Sequence, residues 1–317
     1  MRMTTEWAAG SIPVAPVVRG DPHVNKPLLA ALSALALAGL GATPAIAAPH
    51  PAAQATAQHP AAATPHTAAK AVKATVDFAG TVSLSNCSGS VIRFPNSAAT
   101  DPALVLTNGH CLETGMPGPG EVITGQSSSR GFGLLNSAGS RIGTLRANQV
   151  VYSTMTDTDV TIYRTTTTYA AIKNSYGISP LTVQDTHPVA GTAIKVVSGY
   201  WKRIYSCNID GFVYRLKEGD WTFKDSVRYT SACNTIGGTS GSPVVDTATG
   251  KVVAVNNTGN EDGERCTVNN PCEVDANGNV TVRQGINYAQ EIYNIPACFT
   301  TGNKLNLSAA GCTLPKP

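Results

Sequence analysis

The sequence predicts an all-β fold, either a sandwich or a barrel. Its apolar runs are short, rich in β-branched residues and bounded by turn residues, which is the pattern of β-strands. Glycine and proline recur along the chain, with 30 and 20 copies in 317 residues, and many short strands with frequent turns are typical of sandwiches and barrels. Only residues 287–294 predict a helix, which would be short and near the C-terminus.

The predicted strands are distributed over residues 75–317. Residues 217–220 (Lys-Glu-Gly-Asp) predict a hairpin turn between two of them. A turn-rich, proline-bearing break around 180–191 divides this region into two halves, about 75–187 and 188–317. The strands are expected at 81–84, 90–94, 103–106, 160–163, 193–197, 212–216, 221–223 and 251–255.

The N-terminus has the pattern of a secretory signal peptide. An apolar run at 28–42 follows Arg19 and Lys26 and precedes the small-residue site at 45–47. The run is shorter than the roughly 20 apolar residues of a membrane span. We therefore predict a signal peptide at 1–47, with cleavage near Ala47, and a secreted mature protein.

Residues 48–74 have a different composition, dominated by Ala, Pro, Thr, Gln and His. Such a segment cannot bury enough apolar surface to offset the entropy lost on ordering. We expect a disordered linker or a propeptide here, followed by the folded domain at 75–317.

The charge of the folded region argues against two classes of partner. Of the 23 basic and 20 acidic side chains, 5 and 2 lie in residues 1–74, which leaves 18 of each in 75–317. A neutral domain gives no electrostatic reason to bind nucleic acid or an acidic membrane. We expect neither partner after signal cleavage, and we expect a monomer.

All eight cysteines lie in the folded region, and an even count in an exported chain favours disulfides. A zinc site would favour close Cys-x-x-Cys pairs, and the sequence has none. We expect no metal and no cofactor. Each expected pair closes a fairly short loop, although the sequence alone leaves the pairing in the second half open. The expected pairs are Cys87–Cys111, Cys207–Cys233, Cys266–Cys272 and Cys298–Cys312.

Three short segments contain the residue types of a Ser-His-Asp triad. A serine hydroxyl becomes a nucleophile when an imidazole takes its proton and a carboxylate orients that imidazole. His110 is the candidate base, because His187, the only other histidine in 75–317, lies in a turn-like Asp-Thr-His-Pro. Asp159 opens a strand-like run and is favoured over Asp157 as the orienting carboxylate.

Ser240 is the candidate nucleophile and is favoured over Ser242. It lies in Gly-Gly-Thr-Ser-Gly-Ser-Pro at 237–243, where glycines on both sides permit a tight turn. The backbone amides of Gly238 and Ser240 are then expected to converge on one point and to stabilise an oxyanion.

These segments resemble the catalytic blocks of chymotrypsin-fold serine peptidases. The matching residues are Thr-Asn-Gly-His-Cys at 107–111, Asp-Val-Thr-Ile at 159–162 and Gly-Thr-Ser-Gly-Ser-Pro at 238–243. Cys-Ser-Gly-Ser-Val-Ile at 87–92 is similar to the strand that this family joins by a disulfide to the cysteine after its histidine. The nearest branch is that of secreted bacterial trypsin-like and glutamyl-endopeptidase-like enzymes.

The resemblance implies two six-stranded antiparallel β-barrels of chymotrypsin type, with the site between them. His110 and Asp159 would come from the first barrel and Ser240 from the second. The implied activity is that of a secreted serine endopeptidase, which forms an acyl-enzyme on a protein or peptide substrate. A catalytically inactive protease-like binding protein is the alternative. An esterase of the α/β-hydrolase type is disfavoured, because its serine precedes its histidine in the chain.

The sequence departs from the family at positions that control activation and specificity. Thr239 stands where digestive members carry an aspartate that pairs with a new N-terminus, so we do not expect that activation. Asn234 stands where cutters at basic residues have an aspartate, and Asn256 where glutamyl cutters have a histidine. These two asparagines either form a polar, uncharged pocket or are ordinary loop residues. The family pairs substrate backbone along the strand that contains Val255, Asn256 and Asn257.

Overall fold

A computed structural model describes residues 73–317. The predicted signal peptide at 1–47 and the predicted linker up to residue 72 lie outside the described residues. Among the described residues, no helix is long and apolar enough to cross a bilayer.

Strands dominate the first half of the described chain. All four strands predicted there coincide with observed ones, although the long strand at 141–154 was not expected. The elements are β1 (Thr81–Ser83), β2 (Ser88–Arg93), β3 (Pro102–Thr107), β4 (Val122–Ser127), β5 (Gly131–Leu135), β6 (Arg141–Thr154), β7 (Val160–Thr168), α1 (Tyr169–Tyr176) and β8 (Leu181–Thr182).

Strands also dominate the second half. The predicted turn at 217–220 is a tight hairpin in which Glu218 and Trp221 pair across Gly219 and Asp220. The elements are β9 (Ala193–Ser198), β10 (Arg203–Glu218), β11 (Trp221–Tyr229), β12 (Pro243–Asp246), β13 (Val252–Gly259), β14 (Cys272–Val274), β15 (Val280–Val282), β16 (Asn287–Glu291), β17 (Phe299–Thr300) and β18 (Lys304–Leu305).

Each half closes into a six-stranded antiparallel barrel. The first ring runs β1-β5-β6-β7-β3-β2 and returns to β1, with β4 paired to β6 and β8 added in parallel to β2. The second ring runs β9-β10-β11-β16-β13-β12 and returns to β9, with β14 and β15 extending from β10. Closure leaves few open strand edges. The all-β, two-barrel fold class is thus confirmed.

The helix predicted at 287–294 is wrong. Residues Asn287–Glu291 form β16, all five of them buried, between β11 and β13 in the second ring. Both edges of this strand pair with neighbours, so sheet closure overrides the local preference for a helix. The α-helix of the described residues is α1, which Thr168 caps and Gly177 ends with a positive φ of 71°.

The two barrels share a core that the C-terminal segment completes. Phe299 packs against Phe94 of the first barrel, with ring centroids 4.7 Å apart. The Tyr152 hydroxyl donates to the carbonyl of Pro315 at 3.0 Å. Leu314 is buried in the same cluster. The chain therefore returns from the second barrel to the first and packs the two together.

All eight cysteines are paired in disulfides. The four pairs agree with those expected from the sequence: Cys87–Cys111, Cys207–Cys233, Cys266–Cys272 and Cys298–Cys312.

Candidate active site

His110 lies on a short 3₁₀ turn, Gly109–Cys111, directly after β3. A side chain at Gly109 would collide with the Thr154 carbonyl and with the Asp159 carboxylate, so only glycine allows this close approach. Cys111 forms a disulfide with Cys87, the residue directly before β2. The turn is thus fixed on both sides of the imidazole.

Asp159 immediately precedes β7 and is only 1% exposed. Its Oδ2 lies 2.6 Å from His110 Nδ1, and its Oδ1 accepts from the His110 backbone amide at 3.0 Å. The Asn108 side chain donates to the Asp159 carbonyl at 2.8 Å. These bonds hold the imidazole with Nδ1 on the carboxylate and leave Nε2 for chemistry.

Asp157, the competing carboxylate, points elsewhere. It has a positive φ of 61° and forms an ion pair with Lys224 of β11. The structure therefore brings Asp159, not Asp157, to His110.

The charges around His110 favour its protonated form. Burial lowers its pKa, but the Asp159 charge and hydrogen bond and the Glu218 charge outweigh burial, so its pKa is raised above the ordinary 6.5. A buried carboxylate that stabilises imidazolium is what a general base needs at the moment it takes a proton.

Ser240 lies in a tight turn between two glycines with positive φ, 85° at Gly238 and 80° at Gly241. A side chain at Gly241 would overlap the Ser88 carbonyl and the Thr107 hydroxyl. Ser240 Oγ donates to the carbonyl of Asn257 at 3.2 Å. It lines the same cleft as His110 and Asp159, and that cleft encloses about 630 Å³ including open solvent.

Ser242, the competing serine, is buried and donates to the Thr239 carbonyl at 2.6 Å. It does not line the cleft, in contrast to Ser240.

The amides of Gly238 and Ser240 donate to no acceptor within the described part of the chain. Two backbone carbonyls of this turn are fixed by hydrogen bonds. The Gly237 carbonyl accepts from the Trp201 indole at 2.7 Å, and the Gly238 carbonyl accepts from the Ser88 hydroxyl at 3.1 Å. This arrangement leaves two backbone donors free for an incoming oxygen.

A neutral hydrogen-bond network supports the turn that contains Ser240. The Thr239 hydroxyl donates to the Ile236 carbonyl at 2.5 Å and accepts from Asn256 Nδ2 at 3.1 Å. Asn256 Oδ1 in turn accepts from the Tyr229 hydroxyl at 3.2 Å. Thr239 and Asn256 are 2% and 1% exposed. The turn is thus held by buried, uncharged groups, without an ion pair.

The four residues proposed for substrate binding fall in different environments. Val255 and Asn256 are fully buried, so their side chains do not line an open pocket. Asn234 is exposed but lines a neighbouring depression with Asn260, not the cleft of Ser240. Asn257 lines that cleft. Asn256 is therefore structural, and this role was not expected from the sequence.

The edge of β13 that is available to a substrate lies after Asn256. The Asn256 amide and carbonyl are already bonded to Ser242 and Gly241. Thr258 and Gly259 pair only with β16, and both line the cleft. Strand addition would therefore use residues 257–259.

Sequence reasoning missed Glu218, which lies at the end of β10 and lines the cleft. Its Oε1 accepts from the Asn269 amide at 2.8 Å and from the Thr258 hydroxyl at 3.0 Å. Burial raises the pKa of Glu218, partly offset by these bonds and by His110. The turn sequence Lys-Glu-Gly-Asp carried no signal of this placement, because Glu218 and His110 come from different barrels and line one cleft only in the assembled fold.

Within residues 73–317, two groups of side chains bring potential metal-ligand atoms close to one another. Cys87, His110 and Cys111 form one, but their cysteine sulfurs are joined in a disulfide and are not available as thiolate ligands. His187, Asp225 and Glu291 form the other, outside the cleft.

Residues 87–255 match the family model described as a trypsin-like peptidase domain, more than half of the chain. A search of curated proteins found no match. The active form of the Rv3671c protease from M. tuberculosis is 14% identical, with a TM-score of 0.41, over 81% of this chain and 97% of that chain. The MamO protease domain from Magnetospirillum magneticum is 14% identical, with a TM-score of 0.41, over 68% and 92%. Cellulomonas bogoriensis chymotrypsin is 14% identical, with a TM-score of 0.38, over 69% and 92%.

Proposed function

Because this chain belongs to the trypsin-like peptidase family, we propose that it is a secreted serine endopeptidase with His110, Asp159 and Ser240 as its catalytic residues. The observation that carries the proposal is the 2.6 Å contact between His110 Nδ1 and Asp159 Oδ2, in the cleft that Ser240 also lines. That contact sets the tautomer in which Nε2 is free to take the serine proton.

The proposed reaction begins when His110 Nε2 takes the proton of Ser240 and Oγ attacks a peptide carbonyl. The carbonyl oxygen becomes an oxyanion that accepts from the amides of Gly238 and Ser240, and Asp159 stabilises the imidazolium. The imidazolium then protonates the leaving amine, which leaves an acyl group on Oγ. His110 next activates a water that hydrolyses this ester.

One rearrangement is required before attack. Ser240 Oγ donates to the Asn257 carbonyl rather than to His110. Rotation about the serine Cα–Cβ bond redirects the hydroxyl, and catalytic hydrogen bonds of free enzymes often form fully only with substrate bound. The Asn257 carbonyl is then released to accept from the substrate backbone.

Export of the mature protein is part of the proposal. Four disulfides close the described domain, and disulfides persist in oxidising compartments outside the cytosol. We propose that the signal peptide at 1–47 is removed and that the domain at 75–317 acts alone, as a monomer, on protein or peptide substrates.

Hydrolysis of a denatured protein by purified Ser240→Ala tests the proposal. We expect turnover to fall by about 10⁴-fold or more, to the residual level that binding and an oxyanion site give without a triad. Ser308→Ala is the matched control, because Ser308 is an exposed serine outside the cleft, and it should keep full activity.

The inactive binding protein remains the second candidate, and the Ser240–Asn257 hydrogen bond is the observation that favours it. If Ser240 stays bound to that carbonyl, wild-type protein will bind peptides without cleaving them. Unchanged peptide levels with wild-type protein, or unchanged hydrolysis in Ser240→Ala, would contradict the proposed peptidase.

A further inference from the structure

A second histidine–carboxylate cluster lies outside the proposed catalytic cleft. His187 belongs to the connector between the barrels, Asp225 lies within β11, and Glu291 ends β16. His187 Nε2 is 3.2 Å from Glu291 Oε1 and 3.4 Å from Asp225 Oδ2. Three chain segments that are distant in sequence thus bring one imidazole and two carboxylates together.

The imidazole of His187 is oriented with its Nε2 toward the carboxylates. Its Nδ1 lies 2.6 Å from the Pro188 carbonyl, which can only accept, so Nδ1 carries a proton. The ring also packs against Phe212 and Tyr293, with centroids 4.4 and 5.1 Å away. In the neutral ring Nε2 then presents a lone pair. A ligating histidine whose other nitrogen donates to a backbone carbonyl is the usual arrangement at metal sites.

Glu291 gives a second, independent observation that points to a bound cation. It is 7% exposed, and both of its carboxylate oxygens are buried without a hydrogen-bond donor. Lys224 lines the same depression as Asp225 and Glu291, but its ammonium group is paired with Asp157. A buried carboxylate without donors is unfavourable unless it is protonated or bound to a cation.

The spacing of the three ligand atoms fits zinc. Zinc–ligand bonds of about 2.0–2.1 Å at tetrahedral angles place neighbouring ligand atoms roughly 3.3 Å apart. The observed separations from His187 Nε2 are 3.2 and 3.4 Å, and all three ligand atoms lie within 4.8 Å of one another. One imidazole with two carboxylates suits zinc better than calcium or magnesium, which prefer oxygen ligands alone.

We propose that His187, Asp225 and Glu291 bind a zinc ion, with water as the fourth ligand. The side chains of His187 and Asp225 are 41% and 49% exposed, so solvent reaches the fourth position. No metal was expected from the sequence, because His187, Asp225 and Glu291 are distant from one another in the chain.

The site stabilises the connector between the barrels. His187 comes from this connector, whereas Asp225 and Glu291 come from adjacent strands of the second barrel. A shared ion therefore crosslinks the connector to that barrel. Because the ion binds the folded state and not the unfolded chain, it raises the stability of the folded state. The ion lies outside the cleft of Ser240, so it takes no part in peptide hydrolysis.

Zinc titration of chelator-treated, full-length mature protein tests the proposal. Calorimetry should show one zinc per chain, and the Tm should rise with added zinc. Calcium or magnesium alone should change neither. Zinc affinity should fall at least tenfold in Glu291→Gln and in His187→Gln. Asp185→Asn is the matched control, because Asp185 is an exposed acid of the same connector outside the cluster, and it should bind zinc as wild type does.

Two results would overturn this site. One is equal zinc affinity in Glu291→Gln and Asp185→Asn. The other is binding of calcium but not zinc, because His187 would then not be a ligand. If Glu291→Gln folds poorly, the zinc affinity of His187→Gln tests the site instead. The His187 side chain is exposed enough to be replaced without leaving a cavity. Loss of peptidase activity in Ser240→Ala is independent of all these results.

Discussion

The described chain contains two histidines beside carboxylates, and they differ in which ring nitrogen faces the acid. His110 turns Nδ1 to Asp159, whereas His187 turns Nδ1 to the Pro188 carbonyl and Nε2 to Asp225 and Glu291. The first arrangement leaves Nε2 free in the cleft that Ser240 also lines. The second uses Nε2 to face two acids. The same side-chain types thus suit proton transfer in one place and metal binding in the other.

The largest expected difference between the clusters is in turnover. His110→Gln should lower kcat/KM by about 10⁴-fold or more, because no other group can take the Ser240 proton. His187→Gln should leave kcat/KM unchanged in zinc-free buffer. Peptide hydrolysis by both purified variants measures this. Equal losses in the two would remove the distinction between the clusters.

A second difference concerns the two competing aspartates. Asp159→Asn should lower kcat by about 10⁴-fold, since an amide favours the wrong imidazole tautomer. Asp157→Asn is its control, because that carboxylate pairs with Lys224 and not with His110, and it should keep normal kcat. Steady-state kinetics measures both, and a normal kcat in Asp159→Asn would refute the orienting role.

In contrast to the two histidine–carboxylate clusters, the hydrogen-bond network beneath Ser240 consists of uncharged groups. Thr239→Val removes a donor to Ile236 and an acceptor for Asn256. We expect a loss of about 1–3 kcal/mol in the free energy of unfolding, since Asn256 Nδ2 stays buried without its acceptor, whereas the Ile236 carbonyl keeps the Thr239 amide. Urea denaturation measures it. Thr300 is an exposed threonine outside the network, so Thr300→Val should change the free energy of unfolding little. Equal losses of stability in the two variants would show that the network does not stabilise the fold.

The smallest expected effect is on pH dependence. The base must be neutral, and the pKa of His110 is raised above 6.5, so activity should disappear as pH falls through a midpoint above that value. The Glu218 charge contributes to the raised pKa. Glu218→Gln should therefore move the acid limb of kcat/KM to lower pH. Glu291→Gln should not move it, and a shift toward higher pH in Glu218→Gln would contradict the assigned sign.

The sequence predicted most of what depends on local pattern. Alternating apolar runs located eight strands, and the order of His110, Asp159 and Ser240 predicted the candidate site, whose residues line one cleft. A helix was wrongly predicted for residues 287–294. The pairing of both edges of β16 with neighbouring strands exists only in the closed ring, so the local sequence does not show it. Asn256, Glu218 and His187 were missed or misjudged for a related reason. Their partners come from distant strands, so no local pattern reveals them.

Fluorophosphonate labelling followed by peptide mass spectrometry shows whether Ser240 is a nucleophile that His110 activates. We expect stoichiometric label on Ser240 in wild type and in His187→Gln, and a large loss of labelling rate in His110→Gln. Label on another residue, or an unchanged rate in His110→Gln, would contradict that expectation.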